Sequence, residues 1–231
     1  MKLAVITARG GSKRIPRKNI RDFCGKPIIA YSIQAALDSN CFNEVMVSTD
    51  DDEIAEIARK YGAKVPFIRS SETSDDFATT ADVLFEVVNK YQKRKIYPEY
   101  LCCLYPTAPL IIADNLISAF NQLQKNQMDV VFPITRFSFP IQRALRLQEN
   151  KVSFFNPENA SMRSQDLEPA YHDAGQFYWC CVKTFLETKS LSPVKTSGII
   201  LPEWQVQDLD NMDDWVMAEM KYRLMHQEEN V

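Results

Sequence analysis

What this sequence lacks narrows its function first. No apolar run approaches the roughly eighteen residues of a membrane-spanning helix. There is no Cys-x-x-Cys, no Walker loop and no Gly-x-Gly-x-x-Gly run, and histidine occurs only at His172 and His226. Those absences weaken the zinc-site, kinase and dehydrogenase readings. Charge of one sign is also missing in bulk: 27 basic residues face 30 acidic ones for a net of −3, so general affinity for nucleic acid is not expected. Repeats and low-complexity tracts are absent. The six cysteines include the neighbouring pairs Cys102-Cys103 and Cys180-Cys181 in apolar runs, where adjacent side chains point to opposite faces of a strand and behave as small core residues. The N-terminus enters a strand after two residues, without a long apolar leader. The expectation is a reduced, cytoplasmic chain that partners neither membrane nor nucleic acid.

What is there is 231 residues with 45% hydrophobic and 25% charged content, enough for one globular domain with an excursion. Directly after the apolar run Leu3-Ala4-Val5-Ile6 comes Ala8-Arg9-Gly10-Gly11-Ser12-Lys13-Arg14-Ile15-Pro16-Arg17-Lys18-Asn19-Ile20. Six basic residues and no acid fall between Arg9 and Arg21. The Gly-Gly pair is expected to let backbone N–H groups turn toward one point, and Pro16 to fix the path. A basic, Gly-containing loop at the C-terminal end of a first strand is where open α/β sheets bind phosphate. A solvated charged loop is the ordinary alternative.

Strand-like runs recur at residues 3–7, 44–48, 64–68, 100–104 and 130–133, with segments of helical period between them. This alternation predicts an α/β sheet with helices on both faces. Pro27 is expected at the first position of a helix over 28–37, and the acidic residues 50–53 open a second helix that ends in Arg59-Lys60. Thr79 with Asp82 reads as a capping box, and Asp114 as the cap of a helix reaching Gln124. Residues 136–175 show no clear long helix and read as an excursion from a core of 1–135 and 176–231. Within that core, 176–182 is expected as a return strand and 212–225 as an amphipathic closing helix.

Three further groups carry chemistry. In Asp208-Leu209-Asp210 two carboxylates at i and i+2 of an extended segment point to one side, which suits a hard cation shared with phosphate oxygens. Alternatively, Asp210 caps the last helix with Asp213 in its first turn. Arg69 with Ala78-Thr79-Thr80 can orient a nucleotide and read the edge of a small base, though such a Thr pair is equally a plain helix cap. His172 beside Asp173 could touch a ligand or take a proton, while a lone loop histidine is more often an ordinary polar residue; His226 reads as solvated.

The opening segment resembles the signature of the CMP-sialic acid synthetases (acylneuraminate cytidylyltransferases): Ala8-Arg9-Gly10-Gly11-Ser12-Lys13, a short gap, then Pro16-Arg17-Lys18-Asn19. Similarity continues in patches over nearly the whole chain. The resemblance implies a Rossmann-like nucleotidyltransferase sheet with a small protruding dimerisation lobe at 136–175, whose residues reach over the partner's active site in a homodimer. It implies that Ala8, Arg9, Gly10, Asn19, Arg69, Ala78, Thr79 and Thr80 contact the nucleotide. Arg9 and Lys13 would hold the CTP triphosphate and Lys18 the α-phosphate, the three forming the catalytic set. Asp208 and Asp210 would hold Mg²⁺.

The sugar patch departs from the neuraminate enzymes, whose Gln-Pro-Thr-Ser-Pro is replaced by Tyr105-Pro106-Thr107-Ala108-Pro109. Arg163 and Gln165-Asp166 are kept, and an Arg fork suits a substrate carboxylate. The usual Asn-Gly-Ala becomes Tyr171-His172-Asp173-Ala174-Gly175-Gln176-Phe177-Tyr178. Tyr105, Arg163, Gln165, Tyr171, His172, Asp173, Gln176 and Tyr178 are thus the sugar-binding candidates, and the changes look like the branch that activates pseudaminic acid. The implied reaction joins CTP and this nine-carbon sugar acid into CMP-pseudaminic acid and pyrophosphate, for bacterial surface glycans such as glycosylated flagellin. Alternatives are CMP-N-acetylneuraminate or CMP-legionaminate synthesis, a more distant deoxyoctulosonate cytidylyltransferase, and a catalytically silent nucleotide-binding scaffold.

Overall fold

The molecule is built on its first strand, whose side chains from Leu3 to Ile6 are fully buried. The computed structural model describes residues 1–12 and 14–226. The chain runs β1 (Lys2–Thr7), a small hairpin of β2 (Asp22–Phe23) and β3 (Lys26–Pro27), α1 (Ile29–Asp38), β4 (Glu44–Ser48), α2 (Asp52–Lys60), α3 (Thr80–Lys93), β5 (Tyr100–Leu104), α4 (Ala113–Lys125) and β6 (Val130–Arg136). It continues through β7 (Leu145–Gln148), β8 (Lys151–Phe154), β9 (Tyr171–Asp173), β10 (Phe177–Cys181), α5 (Val182–Thr188), β11 (Thr196–Leu201) and α6 (Met212–Met225). The main sheet has the order β11-β6-β10-β5-β1-β4, with β9 also on β6. No helix among the described residues is long and apolar enough to cross a membrane.

Strand alternation sorts the core onto two faces, as expected. Ala4, Ile6, Cys102, Leu104 and Trp179 pack with residues of α1, α2 and α4, while Leu3, Val5, Cys103 and Cys180 pack with residues of α3 and α5. Each fully buried large side chain contributes about 1.5–3 kcal/mol. The paired cysteines are free thiols; Cys102 and Cys103 lie on opposite faces, while Cys180 is buried with Cys103 and Cys181 is half-buried. Burial raises the Cys102 and Cys103 thiols, so they stay protonated core residues.

Several boundaries differ from the sequence reading. Residues 64–68 are not a strand: Lys64 alone bridges Met46 of β4, and Pro66, which has no N–H, ends the ladder. Pro27 lies in β3, before α1, whose cap residue is Ile28. Asp114 sits inside the first turn of α4, where it favours the dipole, but the cap position is Ile112. The capping box of Thr79 and Asp82 forms, and Asp51 caps α2 by accepting from the Ile54 N–H. Helix α6 buries Trp215 and Ala218 but leaves Val216, Met217, Met220 and Leu224 exposed, so its apolar residues form no single stripe.

The return strand β10 lies antiparallel between β5 and β6. The chain leaves β6 at Arg136 and re-enters beside it as β9, without a crossover helix, so it must run back antiparallel. Between β9 and β10, Gly175 takes a left-handed φ of 63° and the pairing breaks. The excursion itself carries the β7–β8 hairpin, whose side chains are almost all exposed.

Candidate active site

Two segments almost two hundred residues apart meet at the C-terminal ends of β1 and β5. The basic loop leaves β1 with the Ala8 N–H bonded to the Ser48 carbonyl at 3.0 Å, and Ile15 anchors it in a cluster with Phe23, Leu209 and Trp215. The Asn19 amide donates to the Arg9 carbonyl at 2.8 Å and closes the loop on itself. Arg17, at a left-handed φ of 54°, forks onto both oxygens of Asp51 at 2.5 and 3.0 Å and also meets Glu53. It is thus an anchor to α2 and leaves Lys18 on the other side of the turn.

Lys18 donates to the Leu209 carbonyl at 2.6 Å. Burial lowers its pKa, an effect that the charge of Asp208 opposes. Leu209 is fully buried, which leaves its neighbours Asp208 and Asp210 on the outer side of an extended segment. Arg14 pairs with Asp210 at 2.6 Å. The cap of α6 is Asn211, boxed with Asp214, so the capping role considered for Asp210 is not used. Two carboxylates of this kind fit a Mg²⁺ ion, which binds through one or two carboxylates and completes its shell with water and phosphate oxygens.

The loop walls a cavity of about 500 Å³, within the size range of small-molecule sites. Of the nucleotide candidates, Arg9, Lys18, Asn19, Arg69, Ala78, Thr79 and Thr80 line it. Ala8 and Gly10 do not; Ala8 is fully buried as an extension of β1. Lys13 lies outside the described residues. Arg69 is 6% exposed, its guanidinium donating to the Ser48 hydroxyl at 3.1 Å and to the Ser48 carbonyl, and burial lowers its pKa. Arg9 donates to the Asp75 carbonyl at 2.7 Å and pairs with Asp76 at 3.1 Å. Thr79 spends its hydroxyl on the α3 cap, whereas Thr80 lines the cavity beside Tyr105.

The Gly-Gly pair acts differently from expectation. Neither glycine has a positive φ, and the Gly10 N–H is already bonded to the Asp50 carboxylate at 3.0 Å, so it serves an anion of the chain itself. Gly10 is needed for space instead: a Cβ there would stand 2.7 Å from a carboxylate oxygen of Asp51.

Tyr105 is shared with a second cavity of about 460 Å³, which also takes in His172, Asp173, Tyr178 and Asp208. One oxygen of Asp173 accepts from the Gly175 N–H at 2.7 Å and the other from the Tyr178 hydroxyl at 2.5 Å. Burial raises the Tyr105 and Tyr178 pKa values, so both phenols remain donors. Four of the eight sugar candidates are therefore brought together here. Gln176 is instead 3% exposed, bonded through its amide to the Gln205 carbonyl at 2.6 Å, and lines neither cavity. Tyr171 is in β9 opposite Arg136, and Arg163 with Gln165 lies on the excursion, where Arg163 pairs with Asp166 at 2.7 Å. Lys221, from α6, lines the second cavity and had no mark in the sequence to distinguish it from other surface lysines.

With that geometry in place, comparison with known proteins is specific. A family model described as cytidylyltransferase matches residues 3–229. A pseudaminic acid cytidylyltransferase of Campylobacter jejuni subsp. jejuni serotype O:2 is 46% identical over 226 residues, covering 97% of each chain. A CMP-N,N'-diacetyllegionaminic acid synthase of Legionella pneumophila is 34% identical, with 94% of each chain covered. Among solved structures, a CMP:2-keto-3-deoxy-manno-octonic acid synthetase complexed with CTP matches with a TM-score of 0.68 at 19% identity, over 98% of this chain and 99% of that one, a likeness of fold.

Proposed function

The chain belongs to the cytidylyltransferase family, and from that premise we propose that it couples CTP to pseudaminic acid, releasing pyrophosphate and CMP-pseudaminic acid. The observation that carries this reading is the meeting of Lys18 with the Asp208–Asp210 segment, between a basic cavity and a second cavity joined to it at Tyr105. In the reaction the anomeric hydroxyl oxygen bonds to the α-phosphorus and releases its proton to solvent, while the bond from that phosphorus to the pyrophosphate oxygen breaks. Such chemistry asks the protein to align groups and stabilise charge. Lys18 holds the α-phosphate, Arg9 and Lys13 take the charge that develops on the leaving pyrophosphate, and buried Arg69 with Thr80 positions the nucleoside. Each charge-assisted bond contributes about 1.5–3 kcal/mol. Bound at Asp208 and Asp210, Mg²⁺ would supply further charge neutralisation on phosphate oxygens.

Pseudaminic acid is favoured over its relatives because Tyr105 packs its ring on Tyr178, which donates to Asp173, and the three form one wall where neuraminate enzymes carry other residues. The lobe is read as a dimerisation element, supported by Phe139, Leu147 and Val152, apolar side chains between 64% and 84% exposed. Dependence on CTP suits a cytoplasmic enzyme. The test is pyrophosphate release with CTP, with and without Mg²⁺, across pseudaminic, legionaminic and N-acetylneuraminic acids. Metal-dependent release selective for pseudaminic acid is expected; selective release with another acid would overturn the substrate, and CTP binding without turnover of any would favour the scaffold.

A further inference from the structure

A nonulosonic acid brings a carboxylate into the second cavity, and the cation that this chain itself places there is not the one the sequence pointed to. Arg163, the expected fork, is 73% exposed in its side chain, is paired with Asp166, and lines neither cavity within its own chain. The cavity wall is otherwise acidic, with Asp173, Glu203 and Asp208. Among the described residues lining it, Lys221 is the one lysine or arginine.

Lys221 is held in place without being neutralised. Its ammonium donates to the Val206 carbonyl at 2.7 Å and to the Glu203 carbonyl at 3.2 Å, and among the described residues it forms no ion pair. An ammonium has three donors, so one remains for a ligand. Two backbone carbonyls fix the position of a flexible side chain before substrate arrives, which reduces the ordering cost of binding. The neighbouring acids are engaged elsewhere: Asp173 with Tyr178 and Gly175, Glu203 with Ser138, and Asp208 with the Leu209 N–H. Burial also lowers the Lys221 pKa, an effect that the charge of Glu203 opposes.

We propose that Lys221 is the intrachain binding residue for the carboxylate of the sugar acid, and that it sets the enzyme's preference for an acid over a neutral sugar. This rests on the reading of the second cavity as the sugar site. Asp208 on the same wall then places the carboxylate end of the sugar next to the metal-binding segment, the side on which the anomeric carbon must face the α-phosphate.

The test compares pseudaminic acid with its C1 carboxamide as substrates for the native enzyme, K221Q and K221R. Glutamine can still donate to the Val206 carbonyl, so K221Q removes the charge while retaining a tie to that segment. The native enzyme is expected to favour the acid by about ten- to a hundredfold in kcat/KM. In K221Q the preference should fall to near unity through the KM for the acid, with CTP affinity by calorimetry unchanged, and K221R should restore much of it. A purely structural Lys221 would lower turnover of both substrates alike, and that outcome overturns the proposal. So does a K221Q enzyme that keeps the preference. If the native enzyme turns over none of the three nonulosonic acids, the functional reading fails and takes this assignment with it.

Discussion

Gly10 and Gly11 stand side by side in the sequence and have different physical roles. A methyl group on Gly10 would press on Asp51, which also caps α2 and anchors Arg17, so relief by moving the aspartate disturbs both. Gly11 has nothing within 4 Å of such a methyl group. Gly10→Ala should therefore cost about 1–3 kcal/mol in stability and raise the KM for CTP, whereas Gly11→Ala should stay within about 0.5 kcal/mol of native. Urea melts with CTP titrations check this, and equal effects would refute the steric account. Lys18→Met gives a second residue-scale expectation: kcat falls by a hundredfold or more, about 3 kcal/mol, while the fold is retained, because the lost Leu209 contact is a single hydrogen bond.

At the scale of elements, Glu86 on α3 shows how one helix holds the cavity wall. Its carboxylate accepts from the Ser70 N–H and hydroxyl at 3.0 Å, from the Thr73 hydroxyl, and from Lys90 at 2.5 Å, fixing the turn that leads to Asp75 and Ala78. Burial alone would raise its pKa, but those hydrogen bonds outweigh it and hold the carboxyl down at about 2, against 4.5 ordinarily. Because the folded value is depressed, the stabilisation is complete above pH 4.5 and drains away as pH falls toward 2. Glu86→Gln should then cost about 2–3 kcal/mol at pH 7 and flatten the stability profile across that acid window. Denaturant melts at pH 7 and pH 3 measure it; a variant with the native pH slope would show that Glu86 is not responsible.

The same scale explains what the sequence made legible. Strands β1, β4 and β5 and the Thr79 cap were readable because each rests on local pattern: apolar runs, alternation, a hydroxyl three residues before a carboxylate. Residues 64–68 misled because an apolar run says nothing about whether a neighbouring ladder continues past Pro66. The antiparallel course of β10 depends on where the excursion leaves and re-enters, which is a matter of topology. In the site, Lys18 and Asp208 were visible as motifs, but Gln176 was assigned to the sugar and belongs to the core, because burial depends on packing against Gln205. Lys221 carried no signal, since only tertiary structure turns one lysine of α6 toward the cavity.

For the whole molecule, the position of Arg163 and Gln165 is the deciding fact. They lie on an excursion whose β7–β8 hairpin packs little of its surface, while Lys18 and Arg69 sit in the core. If the lobe of one chain completes the cavity of another in a two-fold dimer, the two groups belong to different chains at each site. Lys18→Met and Arg163→Ala variants, each inactive alone, should then complement when unfolded and refolded together. A mixed dimer holds one site with both defects and one with none, and random pairing makes half the dimers mixed, so activity should return to about a quarter of native. If each lobe served its own chain, every site in the mixture would carry one defect and no activity would return. Light scattering on the native protein supplies the independent check, with a mass near twice the 26.6 kDa chain expected for the dimer.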